Sequence, residues 1–133
     1  MQTHTNTSAS SMQRIFLVED SPIIRESLIA ALRQSAEGRQ VIGTAETEDE
    51  AFEQISHGAA DVAIIDINLR EGSGIGLLSR LRKLDEPPKL RIVYTNHCSP
   101  RIRDHCSKLG ATHVLSKGAS FNDLLDVLGP VPN

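Results

Sequence analysis

The stretch that most constrains the fold of this chain is residues 62–66, where four apolar residues run without interruption and end on Asp66. A short unbroken apolar run predicts a strand buried on both faces, as in a parallel sheet. Gly58 and Gly72 bracket the run too closely for a buried helix. Asp66 is therefore expected at the carboxyl end of a central strand, the edge where open α/β sheets bind ligands. An isolated Asp can also end a strand without any chemical function, so the functional interpretation of Asp66 depends on the other residues of the chain.

Four other short, mostly apolar segments are predicted to be strands, and apolar residues at helical spacing follow each of them. Ser21 and Ser120 are expected N-caps of the first and last helices, and Thr47 opens the second helix. Five strands alternating with five helices predict a doubly wound α/β fold, with a parallel sheet and helices on both faces. The four other predicted strands are residues 14–18, 41–45, 90–95 and 113–117.

Composition predicts one ordinary globular domain. Of the 133 residues, 39% are hydrophobic and 23% are charged, which is typical of such domains. We assign residues 1–13 to a disordered polar tail, 14–129 to the domain and 130–133 to a short C-terminal tail. The net charge of −3 gives no basic footprint for nucleic acid, and no apolar run is long enough for a membrane span or a secretion signal. We therefore expect a cytoplasmic protein in which Cys98 and Cys106 are reduced.

Functional side chains follow four of the five predicted strands, and all of them should converge on one edge of the sheet. Three neighbouring carboxylates repel each other unless a cation lies among them, and oxygen ligands favour Mg²⁺. An Asp carboxylate can act as a nucleophile toward phosphorus, while a hydroxyl and an ammonium stabilise the charge on the phosphoryl oxygens. The set therefore predicts phosphoryl transfer onto Asp66. Its members are Glu19, Asp20, Asp66, Thr95 and Lys117.

In these residues, and in Gly74 and Gly110, the chain resembles a response-regulator receiver domain of two-component signalling over about residues 14–128. The resemblance implies a flavodoxin-like sheet of order 2-1-3-4-5 and a signalling domain that catalyses only its own phosphoryl transfer and dephosphorylation. It also implies a sensor histidine kinase or a histidine phosphotransfer protein as the donor. The implied roles are Asp66 as phosphoacceptor, Thr95 as switch hydroxyl, Lys117 as the site lysine, Asp20, Asp66 and the Asn68 carbonyl as Mg²⁺ ligands, and Glu19 acting through water.

Four positions depart from the usual pattern of the family. Arg70 and Gly118 stand where proline is common, and Asn96 replaces a small residue, which predicts narrower access to the phosphoryl site. Val114 stands where an aromatic commonly swings together with the switch hydroxyl. Because Val114 is short and β-branched, we expect the backbone and the fourth helix to carry any rearrangement.

Three functional hypotheses remain open from the sequence. The domain acts alone, or it is the receiver part of a longer regulator with an output domain, or it is a small phosphohydrolase of the haloacid-dehalogenase type. The last is disfavoured because its usual second Asp is replaced by Asn68.

Two other groups of residues, a set of His and Cys residues and a set of basic residues, are interpreted without a chemical function. Zinc binding by the His and Cys residues between 97 and 113 fits no common spacing. Arg101, Arg103 and Lys108 are interpreted as a solvated basic helix surface, with partner docking as the alternative.

Overall fold

A computed structural model of the protein describes residues 12–118 and 121–131. Within them, five parallel strands form one sheet in the order β2-β1-β3-β4-β5. This confirms the predicted fold class and strand order. The strands are β1 (Gln13–Val18), β2 (Arg39–Ala45), β3 (Val62–Ile65), β4 (Leu90–Thr95) and β5 (His113–Ser116).

The helices alternate with the strands, and those in the described part of the chain are too short or too polar to cross a membrane. Residues 1–11 of the predicted tail, and the predicted cap Ser120, lie outside the described residues. The helices are α1 (Pro22–Ser35), α2 (Glu48–Ser56), α3 (Gly74–Leu81), α4 (Pro100–Lys108) and α5 (Phe121–Leu128).

The first strand begins earlier than the sequence indicated. Gln13, which we had placed in the polar tail, is the first residue of β1 and is buried. Its side-chain amide donates a hydrogen bond to the carbonyl of Leu128 at 2.9 Å. A polar residue at the start of a strand gives no apolar signal, so this tertiary contact was not visible in the sequence.

The helices pack on the two faces of the sheet as separate layers. All four residues of β3 are buried, and they alternate between the two core clusters because successive strand side chains point to opposite faces. Ala63 and Ile65 contact the layer of α2, α3 and α4, whereas Val62 and Ile64 contact the layer of α1 and α5. Burial on both faces of the sheet therefore explains the unbroken apolar run, as predicted.

Side-chain caps fix where several helices begin. The hydroxyls of Ser21, Thr47, Ser73 and Ser99 each accept a hydrogen bond from the backbone N–H three residues further on. Such a cap satisfies one of the N–H groups that have no partner within the helix. Because each of these helices starts just beyond the carboxyl end of a strand, the caps also fix the loops at that edge of the sheet.

Candidate functional site at the carboxyl edge of the sheet

Three carboxylates lie together at the carboxyl edge, on two adjacent strands. Glu19 and Asp20 directly follow β1, and Asp66 directly follows β3. The backbone N–H of Asp66 donates to the carbonyl of Val18 at 3.0 Å, which extends the β1–β3 pairing up to the site. One carboxylate oxygen from each of Glu19, Asp20 and Asp66 lies within 4.8 Å of the other two. The structure thus brings together the three acids that the sequence singled out.

Lys117 directly follows β5 and contacts two of these acids. Its ammonium lies 2.6 Å from a Glu19 oxygen and 2.9 Å from an Asp66 oxygen. Burial by itself lowers the pKa of Lys117, but the hydrogen bonds and charges of Glu19 and Asp66 outweigh it, and the net pKa is raised. Lys117 therefore stays protonated within the site.

The two oxygens of Glu19 already have partners. One accepts from Lys117, and the other accepts from the backbone N–H of Ser21 at 3.1 Å. Glu19 is 2% exposed, while Asp20 is only half-buried. The oxygens that remain open to an incoming ion belong mainly to Asp20 and Asp66. This arrangement agrees with an indirect role for Glu19 in holding a cation.

The chemistry of this donor set fits a hard divalent cation. Three carboxylates and one ammonium leave an excess of two negative charges in a largely buried space, and such an excess is unfavourable without a counter-charge. Carboxylate and carbonyl oxygens are the ligands that Mg²⁺ prefers. Within residues 12–118 and 121–131, this is the one group of three or more His, Cys, Asp or Glu side chains placed to hold a metal. The His and Cys residues between 97 and 113 form no such group among the described residues.

Thr95 ends β4 and is completely buried. Its hydroxyl accepts a hydrogen bond from the backbone N–H of His97 at 3.3 Å, and its carbonyl accepts one from the N–H of Lys117. Thr95 is thus tied to the site lysine through the backbone and to the start of the loop before α4 through its side chain.

The loop after Asp66 is folded tightly against the strand. Asn68 is exposed and forms a short antiparallel bridge with Ser73, and the N–H of Gly74 donates to the carbonyl of Ile67 at 2.8 Å. A Cβ atom at Gly74 would collide with the carbonyl oxygen of Asp66 and lie 2.9 Å from the Cα of Ile67. Glycine is required here because two backbone segments approach each other closely.

The residues that depart from the family pattern have defined surroundings. Arg70 forms an ion pair with Glu46 at 3.3 Å, and Asn96 is exposed beside Lys117. Val114 is buried beneath α4, and its carbonyl accepts a hydrogen bond from the guanidinium of Arg103 at 2.6 Å. Arg103 therefore fastens α4 to β5 beside the position where an aromatic is common.

The other two basic residues of α4 point to solvent. Arg101 is exposed, and Lys108 forms an exposed ion pair with Asp104 at 3.0 Å. Cys98 is half-buried and Cys106 is buried. Both are free thiols, and burial raises the pKa of Cys106.

Sequence reasoning missed an apolar groove between α1 and α5. The groove has a volume of about 410 Å³, and Lys117 lines one part of it. Ile23, in the first turn of α1, is 80% exposed at this groove, which is unusual for a large apolar side chain. Ile23 lies off the buried stripe of α1 that Leu28 and Leu32 form, so only the three-dimensional arrangement shows that it lines a groove with α5.

A doubly wound parallel sheet with three carboxylates and a lysine at its carboxyl edge defines a class of α/β domains that can hold a divalent cation beside a nucleophilic carboxylate. Comparison with known families is more specific. The family profile described as "response regulator receiver domain" matches residues 15–129. Because this match covers most of the chain, the chain belongs to the response regulator receiver domain family of two-component systems.

Similar proteins agree with this assignment. A putative transcriptional regulator of Pseudomonas aeruginosa is 28% identical over 114 residues, which is 86% of this chain and 54% of that protein. The DNA-binding transcriptional activator DevR/DosR of Mycobacterium tuberculosis is 34% identical over 89 residues, which is 66% of this chain and 40% of that protein. The chain thus spans about half the length, or less, of these relatives.

A solved structure shows the same fold. The CheY-like receiver domain protein of Methanospirillum hungatei superimposes with a TM-score of 0.77 at 28% identity, covering 88% of this chain and 90% of that chain.

Proposed function

We propose that this domain accepts a phosphoryl group on Asp66 from the phosphohistidine of a sensor histidine kinase or a histidine phosphotransfer protein. One observation carries the proposal. Lys117 is hydrogen-bonded to Glu19 and Asp66 at once, inside a cluster of three carboxylates at the carboxyl edge of the sheet. The assignment of the chain to the receiver family sets aside the phosphohydrolase hypothesis.

In the proposed reaction, a carboxylate oxygen of Asp66 attacks the phosphorus while the bond from phosphorus to the donor's histidine nitrogen breaks. Lys117 already touches Asp66, so its ammonium is placed to neutralise one of the phosphoryl oxygens. Mg²⁺ held by Asp20, Asp66 and the Asn68 carbonyl would neutralise further charge on that group. Glu19 would keep Lys117 and a water of the ion in position.

The groove between α1 and α5 supports a protein as the donor. It is lined largely by apolar side chains, with Ile23 exposed at its rim and Lys117 of the site beside it. A partner that covers Ile23 would bury apolar surface and bring its own reactive group to the same edge of the sheet.

The proposed switch runs through Thr95. When a phosphoryl oxygen is present, the Thr95 hydroxyl can exchange its bond with the N–H of His97 for one with that oxygen. This exchange would release the start of the loop before α4. Bonds made only in the phosphorylated state provide the differential interaction that shifts a conformational equilibrium.

A second candidate follows from the relatives that the chain resembles. Two of them carry names of transcriptional regulators, and the matched regions make up only 54% and 40% of their lengths, so this domain can also be the receiver part of a longer DNA-binding regulator. The reading frame around the coding sequence separates this candidate from a domain that acts alone.

Intact mass spectrometry tests the proposed function. Wild type incubated with acetyl phosphate and Mg²⁺ should gain the mass of one phosphoryl group, and Asp66→Asn should gain none. Asp61→Asn is a matched control, because Asp61 bonds the N–H of Arg14 away from the site. Labelling of the Asp66→Asn protein to the wild-type level would show that the assignment is wrong.

A further inference from the structure

We infer that Glu48, on the first turn of α2, is a positioning residue that holds the loop after Asp66 in the form that binds a cation. The inference rests on the proposed function, because it concerns the loop that carries the Asn68 carbonyl. Glu48 does not belong to the acidic cluster of the site, and neither its position nor its residue type suggested this role in the sequence.

Both the side chain and the backbone of Glu48 hold the loop. A carboxylate oxygen of Glu48 accepts from the backbone N–H of Ser73 at 3.1 Å, and the N–H of Glu48 donates to the carbonyl of Glu71 at 3.0 Å. Thr47 and Glu71 also form a parallel bridge. The start of α2 is therefore fastened along residues 71–73.

Ser73 passes this restraint on to the site. It pairs with Asn68 in an antiparallel bridge, and the next residue, Gly74, donates its N–H to the carbonyl of Ile67. These contacts hold residues 67–68, just after Asp66, against residues 73–74. Because a metal ligand binds well only when the groups behind it hold its orientation, a loosened Ser73 should weaken cation binding.

An arginine and two closely packed glycines restrict the position of the Glu48 carboxylate. Arg80 lies 3.3 Å from its second oxygen, and the guanidinium of Arg80 stacks 4.2 Å above the ring of Phe52. A Cβ atom at Gly76 would lie 2.5 Å from the carboxylate oxygen of Glu48, and one at Gly72 would lie 2.5 Å from its Cβ. The two glycines thus leave the space that Glu48 occupies.

Asp49 provides a matched control for Glu48. It also binds Arg80, at 2.8 Å, but its described contacts do not reach the loop after Asp66. Replacement of either acid removes one carboxylate partner of Arg80, and replacement of Glu48 alone removes the bond to Ser73. If Glu48 acted only through its ion pair with Arg80, both variants would affect Mg²⁺ binding in the same way.

The experiment is a calorimetric titration of the full chain with MgCl₂ at constant ionic strength, without a phosphodonor. Glu48→Ala should raise the Kd for Mg²⁺ about tenfold or more, whereas Asp49→Ala should bind like wild type. Glu48→Gln keeps an oxygen that can accept from Ser73 and should recover most of the affinity. Equal affinities of the Glu48→Ala, Asp49→Ala and wild-type proteins would overturn the inference.

A second variant covers the case in which Glu48→Ala does not fold. Gly76→Ala leaves Glu48 in the chain but places a methyl group against its carboxylate, while alanine favours the helix more than glycine does. We expect weaker Mg²⁺ binding with the melting temperature maintained, a pattern that a purely structural role does not produce. Wild-type affinity in this variant would count against the inference.

The two proposals fail in different ways. If wild type binds no Mg²⁺ and accepts no phosphoryl group, the proposed function fails and the role of Glu48 fails with it. If wild type does both and Glu48→Ala does both equally well, only the inference about Glu48 is wrong.

Discussion

Two cations, the buried Arg39 and the largely buried Lys117, lie at opposite ends of the strands, and the chemistry of their partners differs. Lys117, at the carboxyl edge, binds the carboxylates of Glu19 and Asp66. Arg39, at the amino edge, binds neutral groups, namely the side-chain oxygens of Gln13 and Ser35 and the carbonyl of Gly129. Burial lowers the pKa of Arg39, whereas the carboxylates raise the net pKa of Lys117 in spite of burial.

This difference separates a structural charge from a functional one. Arg39 connects the start of β2 to β1, to the end of α1 and to the residue after α5, and its neutral partners do not call for another ion. Lys117 lies among three carboxylates and balances only part of their charge. A buried cation with neutral partners stabilises the fold, while one that is outnumbered by carboxylates leaves room for a further positive charge or a transferred group.

The largest expected effect comes from Lys117→Met in the absence of Mg²⁺. Glu19 and Asp66 would then be buried carboxylates without their cation, and breaking a buried pair in this way costs about 3–5 kcal/mol of unfolding free energy. Mg²⁺ should restore part of this loss, because it supplies positive charge to the same cluster of carboxylates. Urea unfolding with and without Mg²⁺ measures both effects, with the exposed Lys108→Met as control. A Mg²⁺ response no larger than that of wild type would contradict the charge account.

Arg39→Met should destabilise the fold without changing the site. The variant leaves the side chain of Gln13 and the carbonyl of Gly129 without a donor, which costs about 2–3 kcal/mol. Mg²⁺ should stabilise this variant by the same increment as wild type, and labelling by acetyl phosphate should persist. Loss of the Mg²⁺ response in urea unfolding would show that the two edges of the sheet are not independent.

A smaller effect is expected in the stabilisation by Mg²⁺, which should depend on Asp20 at the carboxyl edge and not on Arg39 at the amino edge. Mg²⁺ binds only the folded site and should stabilise wild type by about 1.4 kcal/mol at ten times its Kd. The rise in melting temperature should disappear in Asp20→Ala and remain in Arg39→Met, as measured by differential scanning calorimetry. An identical rise in Asp20→Ala would indicate a non-specific ion effect.

The smallest expected effect is a difference in alkaline stability. Because the folded pKa of Lys117 is raised, its contribution is present below the ordinary lysine pKa of about 10.4 and is lost as pH rises through the raised value. Lys117→Met should therefore lose stability less steeply than wild type above about pH 10. Arg39→Met should follow wild type, because arginine stays protonated over this range. Urea unfolding between pH 8 and pH 11 would refute this account if all three proteins declined in parallel.

The sequence predicted the acidic site because each of its acids follows a recognisable apolar strand. Glu19, Asp20 and Asp66 meet because parallel strands end at one edge, and the pattern of strands and helices already implied this arrangement. The beginning of β1 at Gln13 was not predictable, since its amide is bound to Leu128 at the far end of the chain. Element ends depend on such contacts more than on periodicity.

Side-chain pairing between distant segments was predictable only where both residues follow strands. Lys117 and Glu19 are separated by 98 residues, yet the convergence of strand ends already placed them together, whereas nothing in the sequence connects Glu48 with Ser73, 25 residues away. Which of several charged residues on α2 reaches the loop depends on the packing of α2 against α3. The sequence therefore indicated the chemistry of the site but not the residues that hold it in position.

The central claim, that Asp66 is the phosphoacceptor, is tested most directly by identifying the modified side chain. The protein is treated with acetyl phosphate and Mg²⁺, and borohydride then reduces the acyl phosphate to an alcohol, which converts a phosphorylated Asp into homoserine. Peptide mass spectrometry locates the product. We predict homoserine at position 66 and unmodified Glu19 and Asp20. Reduction at position 20, or no reduced residue in protein that has gained phosphoryl mass, would contradict the claim.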